Sequence, residues 1–290
     1  MNTVALETSS CSAGDTTPKS PLRLVSRAAR TERSQVRVGL ACFGGPQPVV
    51  IAGPCSVESY EQTRFTAEAV KAAGGSMLRG GAYKPRTSPY DFQGLGVEAL
   101  EILARVRSET GLPVVSEVMS TDEIDLISGH VDMLQVGARN MQNFALLRRL
   151  AKCRRPVLLK RGPASTVKEW LLAAEYLLAG GNDQVVLCER GVRSYDPELR
   201  NTFDLAGMAL ARQLSHLPVI ADPSHATGRK DLIPAMSRAA LAAGADGLMI
   251  EVHPKPAVAL SDGAQSLDLP GFAKLMEETV ALTQMGAWRA

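Results

Sequence analysis

Eight short apolar runs that alternate with amphipathic or Ala/Leu-rich stretches constrain the fold of this 290-residue chain most strongly. We interpret residues 49–53, 76–80, 113–118, 132–137, 157–160, 185–188, 218–221 and 247–252 as strands. Helices are predicted between them, among others over 59–73, 97–110, 166–179, 203–214 and 232–243. Because strands that are apolar on both faces and separated by helices form parallel sheets, eight units in roughly 250 residues predict an α/β fold, a closed (β/α)8 TIM barrel. An open doubly wound sheet is the alternative, but no dinucleotide-binding glycine pattern follows the first run.

The N-terminal region differs from this pattern. Residues 1–34 are rich in Ser, Thr and Arg without sustained periodicity, which predicts a disordered tail, and their acidic residues disfavour a transit peptide. From residue 35 to residue 290 we expect a single catalytic barrel domain. Alternating apolar residues and the turn Gly44-Gly45-Pro46 predict a β-hairpin arm over 36–47 that covers the N-terminal mouth of the barrel.

The composition argues against several classes of function. A net charge of +2 with 21% charged residues gives no indication of nucleic-acid binding. No apolar run approaches the roughly 20 residues that span a bilayer, and the N-terminus lacks the apolar core of a secretory signal, so we expect a cytoplasmic protein without a membrane partner. Five scattered cysteines, an odd number, indicate reduced thiols rather than a disulfide framework.

Polar, charged or metal-ligating residues follow the predicted strands. In chain order they are Cys55, Arg79 with Lys84, Glu117, Arg139, Lys160, Arg190, His225 and Glu251. In a (β/α)8 barrel the functional side chains lie at the carboxyl ends of the strands. The regular placement of these residues therefore predicts a functional site at that end of the barrel.

Four residues form a candidate metal site: Cys55, His225, Glu251 and Asp262. A thiolate, an imidazole and two carboxylates suit a divalent transition ion such as Mn²⁺, Fe²⁺, Co²⁺ or Zn²⁺, and they suit Mg²⁺ or Ca²⁺ poorly. Taken singly, such a cysteine is usually a small buried hydrophobe and such a glutamate is usually solvated. Their common location at barrel strand ends favours the metal site.

A second group is cationic: Arg79, Lys84, Arg86, Arg139, Lys160 and Arg190. Three of these cations lie in the stretch 78–89, whose paired glycines let backbone N–H groups approach an anion. Cations gathered in one cavity repel one another without anionic ligands, so we expect substrates that carry phosphate and carboxylate groups. Structural pairing with Glu117, with Glu189 or with each other's neighbours is the alternative, and it explains one or two of the six but not all.

Seven motifs carry a resemblance to a known family. They are AGPCSVE (52–58), LRGGAYKPRTSP (78–89), QVGARN (135–140), LLKRG (158–162), LCERG (187–191), DPSH (222–225) and EVHP (251–254). Together they resemble the 3-deoxy-D-arabino-heptulosonate 7-phosphate (DAHP) synthases, in the compact bacterial subtype that is close to the 3-deoxy-octulosonate 8-phosphate synthases. The resemblance covers about residues 36–285.

The resemblance implies an aldol-like condensation of phosphoenolpyruvate (PEP) with erythrose 4-phosphate, the first step of the shikimate pathway towards chorismate and the aromatic amino acids. It implies metal ligation by Cys55, His225, Glu251 and Asp262, with Mn²⁺ as the favoured ion, and catalytic roles for Cys55, Lys84 and His225. For the substrates it implies Arg79, Lys84, Arg139, Lys160 and Arg190 at PEP, Arg86, Thr87 and Ser88 at the aldose phosphate, and Glu117 as a further contact. It also implies a homo-oligomer, a dimer or a tetramer.

Some features bear on the choice of substrate. The sequence KPRTS at 84–88 indicates a four-carbon aldose phosphate, since the octulosonate enzymes usually carry Ala-Asn-Arg-Ser after the lysine. Asp91 and Pro163-Ala164 depart from the family pattern, so a paralogue that uses another aldose phosphate stays an alternative. A non-catalytic regulatory barrel is a second alternative, although no metal ligand or PEP cation is missing. Because neither end has the roughly 70 patterned residues of a regulatory domain, we expect no inhibition by Phe, Tyr or Trp.

Overall fold

A barrel of eight parallel strands organises the computed structural model, which describes residues 21–284. The strands are β1 (Val36–Val38), β2 (Ala41–Phe43), β3 (Val49–Gly53), β4 (Met77–Arg79), β5 (Val114–Val118), β6 (Met133–Val136), β7 (Val157–Lys160), β8 (Val185–Glu189), β9 (Val219–Ala221) and β10 (Gly247–Glu251). Strands β3 to β10 pair in chain order, and β10 closes the ring against β3. The predicted (β/α)8 barrel is confirmed, and the ends of each predicted strand lie within one residue of the observed ends.

Several of the helices around the barrel begin or end at recognisable capping residues. Within residues 21–284 they are α1 (Tyr60–Ala72), α2 (Val97–Thr110), α3 (Ile124–His130), α4 (Phe144–Leu150), α5 (Val167–Ala179), α6 (Leu205–Leu214), α7 (Pro223–Thr227), α8 (Ile233–Ala242) and α9 (Leu269–Gln284). The Ser59 side chain caps α1, and Thr166 and Glu169 form a reciprocal capping box at the start of α5. Gly111 ends α2 in the left-handed conformation that glycine adopts readily. None of these helices is both long and apolar enough to cross a bilayer.

Apolar side chains form an inner layer within the barrel and an outer layer between the barrel and its helices. On β5, Val115 belongs to the inner layer, whereas Val114 and Val118 belong to the outer one. Successive side chains of a strand alternate between its two faces in this way. The barrel interior is therefore a packed core, and functional groups have room only beyond the strand ends.

The hairpin formed by β1 and β2 closes the N-terminal mouth of the barrel. Four of its side chains are buried in the inner layer: Val36, Val38, Ala41 and Phe43. Gly39 at its turn has a φ of 58°, and a Cβ on this residue would lie 2.7 Å from Cγ of Pro113, the residue before β5. The predicted hairpin arm and its position at this end of the barrel are thus confirmed.

Residues 21–34 pack against the barrel, which corrects the prediction of a tail over 1–34. Glu175 on α5 accepts hydrogen bonds from the backbone N–H groups of residues 23–25 at 2.8–3.1 Å. Val25 is fully buried in the outer layer. A single buried apolar residue gives no periodic signal, so the local sequence pattern does not reveal this contact. Residues 1–20 of the predicted tail lie outside the described residues.

Phe43→Ala tests whether the hairpin is part of the core. Phe43 is fully buried, so removal of its ring should lower the free energy of unfolding by about 3–5 kcal/mol. Leu40→Ala is the matched control on the same hairpin, because Leu40 is fully exposed and its loss should change that free energy by less than about 0.5 kcal/mol. Urea denaturation followed by circular dichroism measures both variants, and equal effects would contradict the packing described above.

Candidate active site

A cavity of about 360 Å³ opens at the carboxyl ends of the barrel strands. It is lined by Arg79, Lys84, Pro85, Arg86, Thr87, Asp91, Glu117, Gln135, Gly137, Ala138, Arg139, Lys160, Pro163, Arg190, Arg193, Arg200, Asn201, His225 and Asp262. The structure thus brings together all the predicted substrate residues except Ser88. Two of the four predicted metal ligands, His225 and Asp262, also face this cavity.

The four predicted metal ligands meet beside this cavity. The candidate ligand atoms of Cys55, His225, Glu251 and Asp262 all lie within 4.8 Å of one another. His225 Nε2 lies 3.2 Å from Glu251 Oε1 and 3.9 Å from Asp262 Oδ2. Residues that are up to 207 positions apart in the chain, as Cys55 and Asp262 are, become neighbours because each follows a barrel strand.

Asp222 orients the His225 ring. It caps the N-terminus of α7 by accepting a hydrogen bond from the His225 backbone N–H, and its Oδ2 lies 2.7 Å from His225 Nδ1. Since a carboxylate only accepts, Nδ1 carries the proton and Nε2 presents its lone pair to the cluster. Burial lowers the pKa of His225 to about 4, against the raising effect of Asp222 and Glu251, so the ring is neutral at pH 7, as a metal ligand must be.

Cys55 lies between the cluster and the cations of the cavity. Its Sγ is 3.2 Å from Asp262 Oδ2 and 2.9 Å from Lys84 Nζ. Burial raises the pKa of this thiol to about 12, and the negative charge of Glu251 adds to the shift, so the thiol keeps its proton until a cation replaces it. Soft sulfur, neutral ring nitrogen and carboxylate oxygen are together the donor set of a transition-metal site, and these residues fit such an ion.

Two of the six predicted cations form buried ion pairs at the base of the cavity. Arg79 Nη1 lies 2.9 Å from Glu251 Oε1, and Lys160 Nζ pairs with Asp222 Oδ2. Glu251 belongs to the metal cluster, and Asp222 orients the His225 ring of that cluster. The ion pairs therefore join the cluster to the cationic wall.

The acids considered as alternative partners of the cations bind elsewhere. Glu117 accepts a hydrogen bond from Gln135 at 3.1 Å, and Glu189 pairs with Arg161 at 2.8 Å. Arg161 is buried and is not one of the six cations. Pairing with Glu117 or Glu189 therefore explains none of the six cations, and pairing with other acids explains two of them.

The other four predicted cations have no acidic partner among residues 21–284. Lys84, Arg86, Arg139 and Arg190 donate there only to the Cys55 thiol or to backbone carbonyls. Arg190 is buried, and its Nη1 reaches only a backbone carbonyl at 3.5 Å. Burial lowers the pKa of this guanidinium. Because a buried cation without a counterion is costly, this wall of the cavity is complementary to an anion.

The 84–88 loop brings two of its three predicted aldose-phosphate residues to the cavity. Arg86 Nε donates to Phe92 O at 3.0 Å, which fixes the guanidinium, and Thr87 also lies in the cavity wall. The Ser88 hydroxyl instead accepts a hydrogen bond from a backbone N–H two residues further on, within its own turn. The structure does not bring Ser88 to the cavity.

Arg193, Arg200 and Asn201 line the cavity but are not among the residues predicted from the sequence. They lie between β8 and α6, in a segment without strand or helix periodicity. Arg200 Nη1 donates to Gln265 Oε1 at 2.6 Å and lies 3.4 Å from Asp262 Oδ1. Arg193 and Arg200 both follow β8 in the sequence, and that position could have identified them, since the segments after the barrel strands face the site.

Fold and cavity define this chain as a (β/α)8 enzyme with a candidate metal centre beside an anion-binding wall. The profile of the DAHP synthetase I family matches residues 30–285, and the chain belongs to this family. A phospho-2-dehydro-3-deoxyheptonate aldolase from Thermotoga maritima is 47% identical over 258 residues, which cover 89% of this chain and 76% of that protein. A 2-dehydro-3-deoxyphosphooctonate aldolase from Syntrophotalea carbinolica is 33% identical over 266 residues, which cover 85% of this chain and 95% of that protein.

Solved structures show the same architecture. The crystal structure of the Thermotoga maritima DAHP synthase matches with a TM-score of 0.89 at 45% identity and covers 92% of this chain and 78% of that chain. A truncated form of 3-deoxy-D-arabino-heptulosonate 7-phosphate synthase from the same organism matches with a TM-score of 0.87 at 41% identity. The match covers 93% of this chain and 99% of that chain. At these identities the likeness extends beyond the fold to the sequence.

Cys55→Ser tests the metal cluster directly. Replacement of the soft sulfur by a hydroxyl should weaken the binding of Zn²⁺ or Mn²⁺ to metal-stripped protein by at least roughly tenfold. Cys153→Ser is the matched control, because Cys153 is a free, half-buried thiol outside the cluster. Isothermal titration calorimetry measures the affinities, and equal metal affinity of both variants would show that Cys55 is not a metal ligand.

Proposed function

We propose that this chain condenses PEP with erythrose 4-phosphate to give DAHP and phosphate, the first step of the shikimate pathway. One observation carries the proposal: four candidate metal ligands within 4.8 Å of one another lie beside a cavity wall in which four of the six predicted cations have no acidic partner among residues 21–284. The ligand cluster would hold a metal ion that can activate an aldehyde, and the cationic wall would bind phosphates and a carboxylate. The name of the 47% identical Thermotoga maritima relative, a phospho-2-dehydro-3-deoxyheptonate aldolase, supports the same product.

Four residues hold the metal in this proposal: Cys55, His225, Glu251 and Asp262. We favour Mn²⁺ over Fe²⁺, Co²⁺ or Zn²⁺. When bound, the ion supplies a Lewis acid for the aldehyde of erythrose 4-phosphate. Lys84 contacts the Cys55 sulfur at 2.9 Å and also lines the cavity, so it lies between the metal ligands and the cavity and can hold a proton at Nζ.

Five cations bind PEP: Arg79, Lys84, Arg139, Lys160 and Arg190. They orient its phosphate and carboxylate and stabilise negative charge as it moves during the reaction. C3 of PEP forms a bond with C1 of the aldehyde while the C2–C3 double bond of PEP and the C–O double bond of the aldehyde become single bonds, and the aldehyde oxygen takes up a proton. Water adds at C2 and loses its protons, and phosphate leaves with cleavage of the bond between C2 and its ester oxygen, which leaves a ketone at C2. Glu117 lines the cavity and is a further substrate contact.

Arg86 and Thr87 bind the phosphate of the aldose. A guanidinium offers a planar fork for two phosphate oxygens, and the contact of Arg86 Nε with Phe92 O presets the plane of that fork. The sequence KPRTS at 84–88 favours the four-carbon aldose. The phosphate groups of the two substrates are therefore bound by different cations of one cavity.

Consumption of PEP on mixing with erythrose 4-phosphate tests the proposed reaction. Dialysis against a chelator should reduce the rate to background, and addition of Mn²⁺ should restore it, because the aldehyde then regains its Lewis acid. Arabinose 5-phosphate is the matched control substrate and should give a lower kcat/KM. Full activity in excess chelator, or a preference for the five-carbon aldose, would contradict the proposal.

Two substitutions test the division of the cavity between the substrates. Arg86→Ala should raise the KM for erythrose 4-phosphate much more than that for PEP, by a factor that corresponds to the loss of a charge-assisted hydrogen bond, about 1.5–3 kcal/mol. Arg190→Ala should show the opposite bias. Steady-state kinetics with each substrate varied in turn provides the measurement, and the division is wrong if each substitution affects both KM values equally.

A further inference from the structure

Arg200 connects the cavity to two of the four candidate metal ligands. Its Nη1 lies 3.4 Å from Asp262 Oδ1 and donates to Gln265 Oε1 at 2.6 Å. Gln265 in turn donates through Nε2 to Glu251 Oε2. A single guanidinium therefore reaches both carboxylates of the cluster, one directly and the other through a buried amide.

The chemistry of these groups fixes the orientation of the Gln265 amide. Arg200 has only donors, and the Glu251 carboxylate has only acceptors. The amide between them consequently has one orientation, with its oxygen towards Arg200 and its NH₂ group towards Glu251. This hydrogen bond occupies Glu251 Oε2. The other oxygen, Oε1, accepts from Arg79 Nη1 at 2.9 Å and faces the cluster, 3.2 Å from His225 Nε2.

Asp262 needs comparable support because its backbone is strained. It has a φ of 53° and is the one non-glycine residue with a positive φ within residues 21–284. Such a conformation persists only where the surrounding contacts hold it. Arg200 faces Asp262 Oδ1 and leaves Oδ2, which lies 3.2 Å from Cys55 Sγ, for the cluster.

Hydrogen bonds join the backbone at Arg200 to α7, the helix that carries His225. Arg200 N donates to Thr227 O at 3.0 Å, and Asn201 N donates to Ala226 O at 2.8 Å. The Asn201 side chain donates to His225 O at 2.9 Å. These hydrogen bonds fix the position of the Arg200 backbone, from which the guanidinium extends, relative to His225, a third ligand of the cluster.

We infer that Arg200 is a positioning residue that aims the Asp262 and Glu251 carboxylates at the metal, an inference that rests on the proposed metal site. Its charge alone would act in the opposite sense, because a nearby cation repels a divalent ion. The contacts of its Nη1, a hydrogen bond to Gln265 and an ion pair with Asp262, outweigh that repulsion. Loss of these contacts therefore weakens metal binding, whereas loss of charge alone would strengthen it.

Mn²⁺ affinity of the metal-stripped protein, measured by isothermal titration calorimetry, separates these two effects. Arg200→Lys keeps the charge, but its ammonium group does not reproduce the guanidinium Nη1 that contacts Asp262 and Gln265 together. Arg200→Ala loses both the charge and these contacts. Each variant should bind Mn²⁺ roughly 10–100-fold more weakly, the range typical of residues that orient metal ligands.

Arg193→Ala is the matched control for the cavity. Arg193 lines the same cavity from the same segment, and within residues 21–284 its side chain forms no hydrogen bond or ion pair. Its variant should keep the wild-type Mn²⁺ affinity. Weakening equal to that of Arg200→Ala would show that any lost cavity cation suffices, and it would overturn the inference.

Gln265→Leu keeps the guanidinium and interrupts only its link to Glu251, so it provides a second test if the Arg200 variants unfold in thermal melts of the metal-free protein. It should also weaken Mn²⁺ binding. Unchanged or tighter binding by Arg200→Ala, or wild-type binding by folded Arg200→Lys and Gln265→Leu, overturns the inference. A wild-type protein that binds no Mn²⁺ instead refutes the proposed metal site, which distinguishes the two failures.

Discussion

The pairing of β10 with β3 is the constraint on which the site depends. Five residue pairs join the two strands, and the last of them sets Glu251 opposite Gly53. This register closes the ring and places Glu251 beside the turn that carries Cys55. Glycine is required at position 53 because a Cβ there would lie 2.2 Å from Arg79 O. A slip of one residue would reverse the faces of β10 and turn the Glu251 side chain away from the cluster.

Buried charges make the metal cluster and the anion-binding wall one electrostatic unit. Glu251 belongs to the cluster and also neutralises Arg79, at 2.9 Å. Asp222 orients the His225 ring and also neutralises Lys160. Removal of one member would leave an uncompensated charge in a buried position, which costs several kcal/mol by typical magnitudes. The residues of this unit therefore constrain one another, although some belong to or support the metal cluster and others form the cationic wall.

The parts of the structure that follow local rules could be predicted from the sequence. Strands and helix caps depend on residues within a few positions, and barrel topology then converts strand order into proximity, which brought Cys55 and His225 together. The packing of Val25 and the contacts of Arg200 could not be predicted in this way. Val25 bonds to a residue 150 positions away and Arg200 to one 65 positions away, and no local pattern encodes either partner.

The docking of residues 21–34 has a consequence for folding during synthesis. These residues emerge from the ribosome early, but Arg33 pairs with Asp246, which lies 213 positions further along the chain. At 5–20 residues per second, that partner is translated roughly 10–40 s later. Residues 23–25 meet Glu175 on α5 earlier, but the contact of Arg33 and the edge of β3 that pairs with β10 must both wait for the end of the barrel. A ribosome that stalls before β10 would thus leave a nascent chain with an open sheet edge and an incompletely docked N-terminal segment, the kind of surface that chaperones bind.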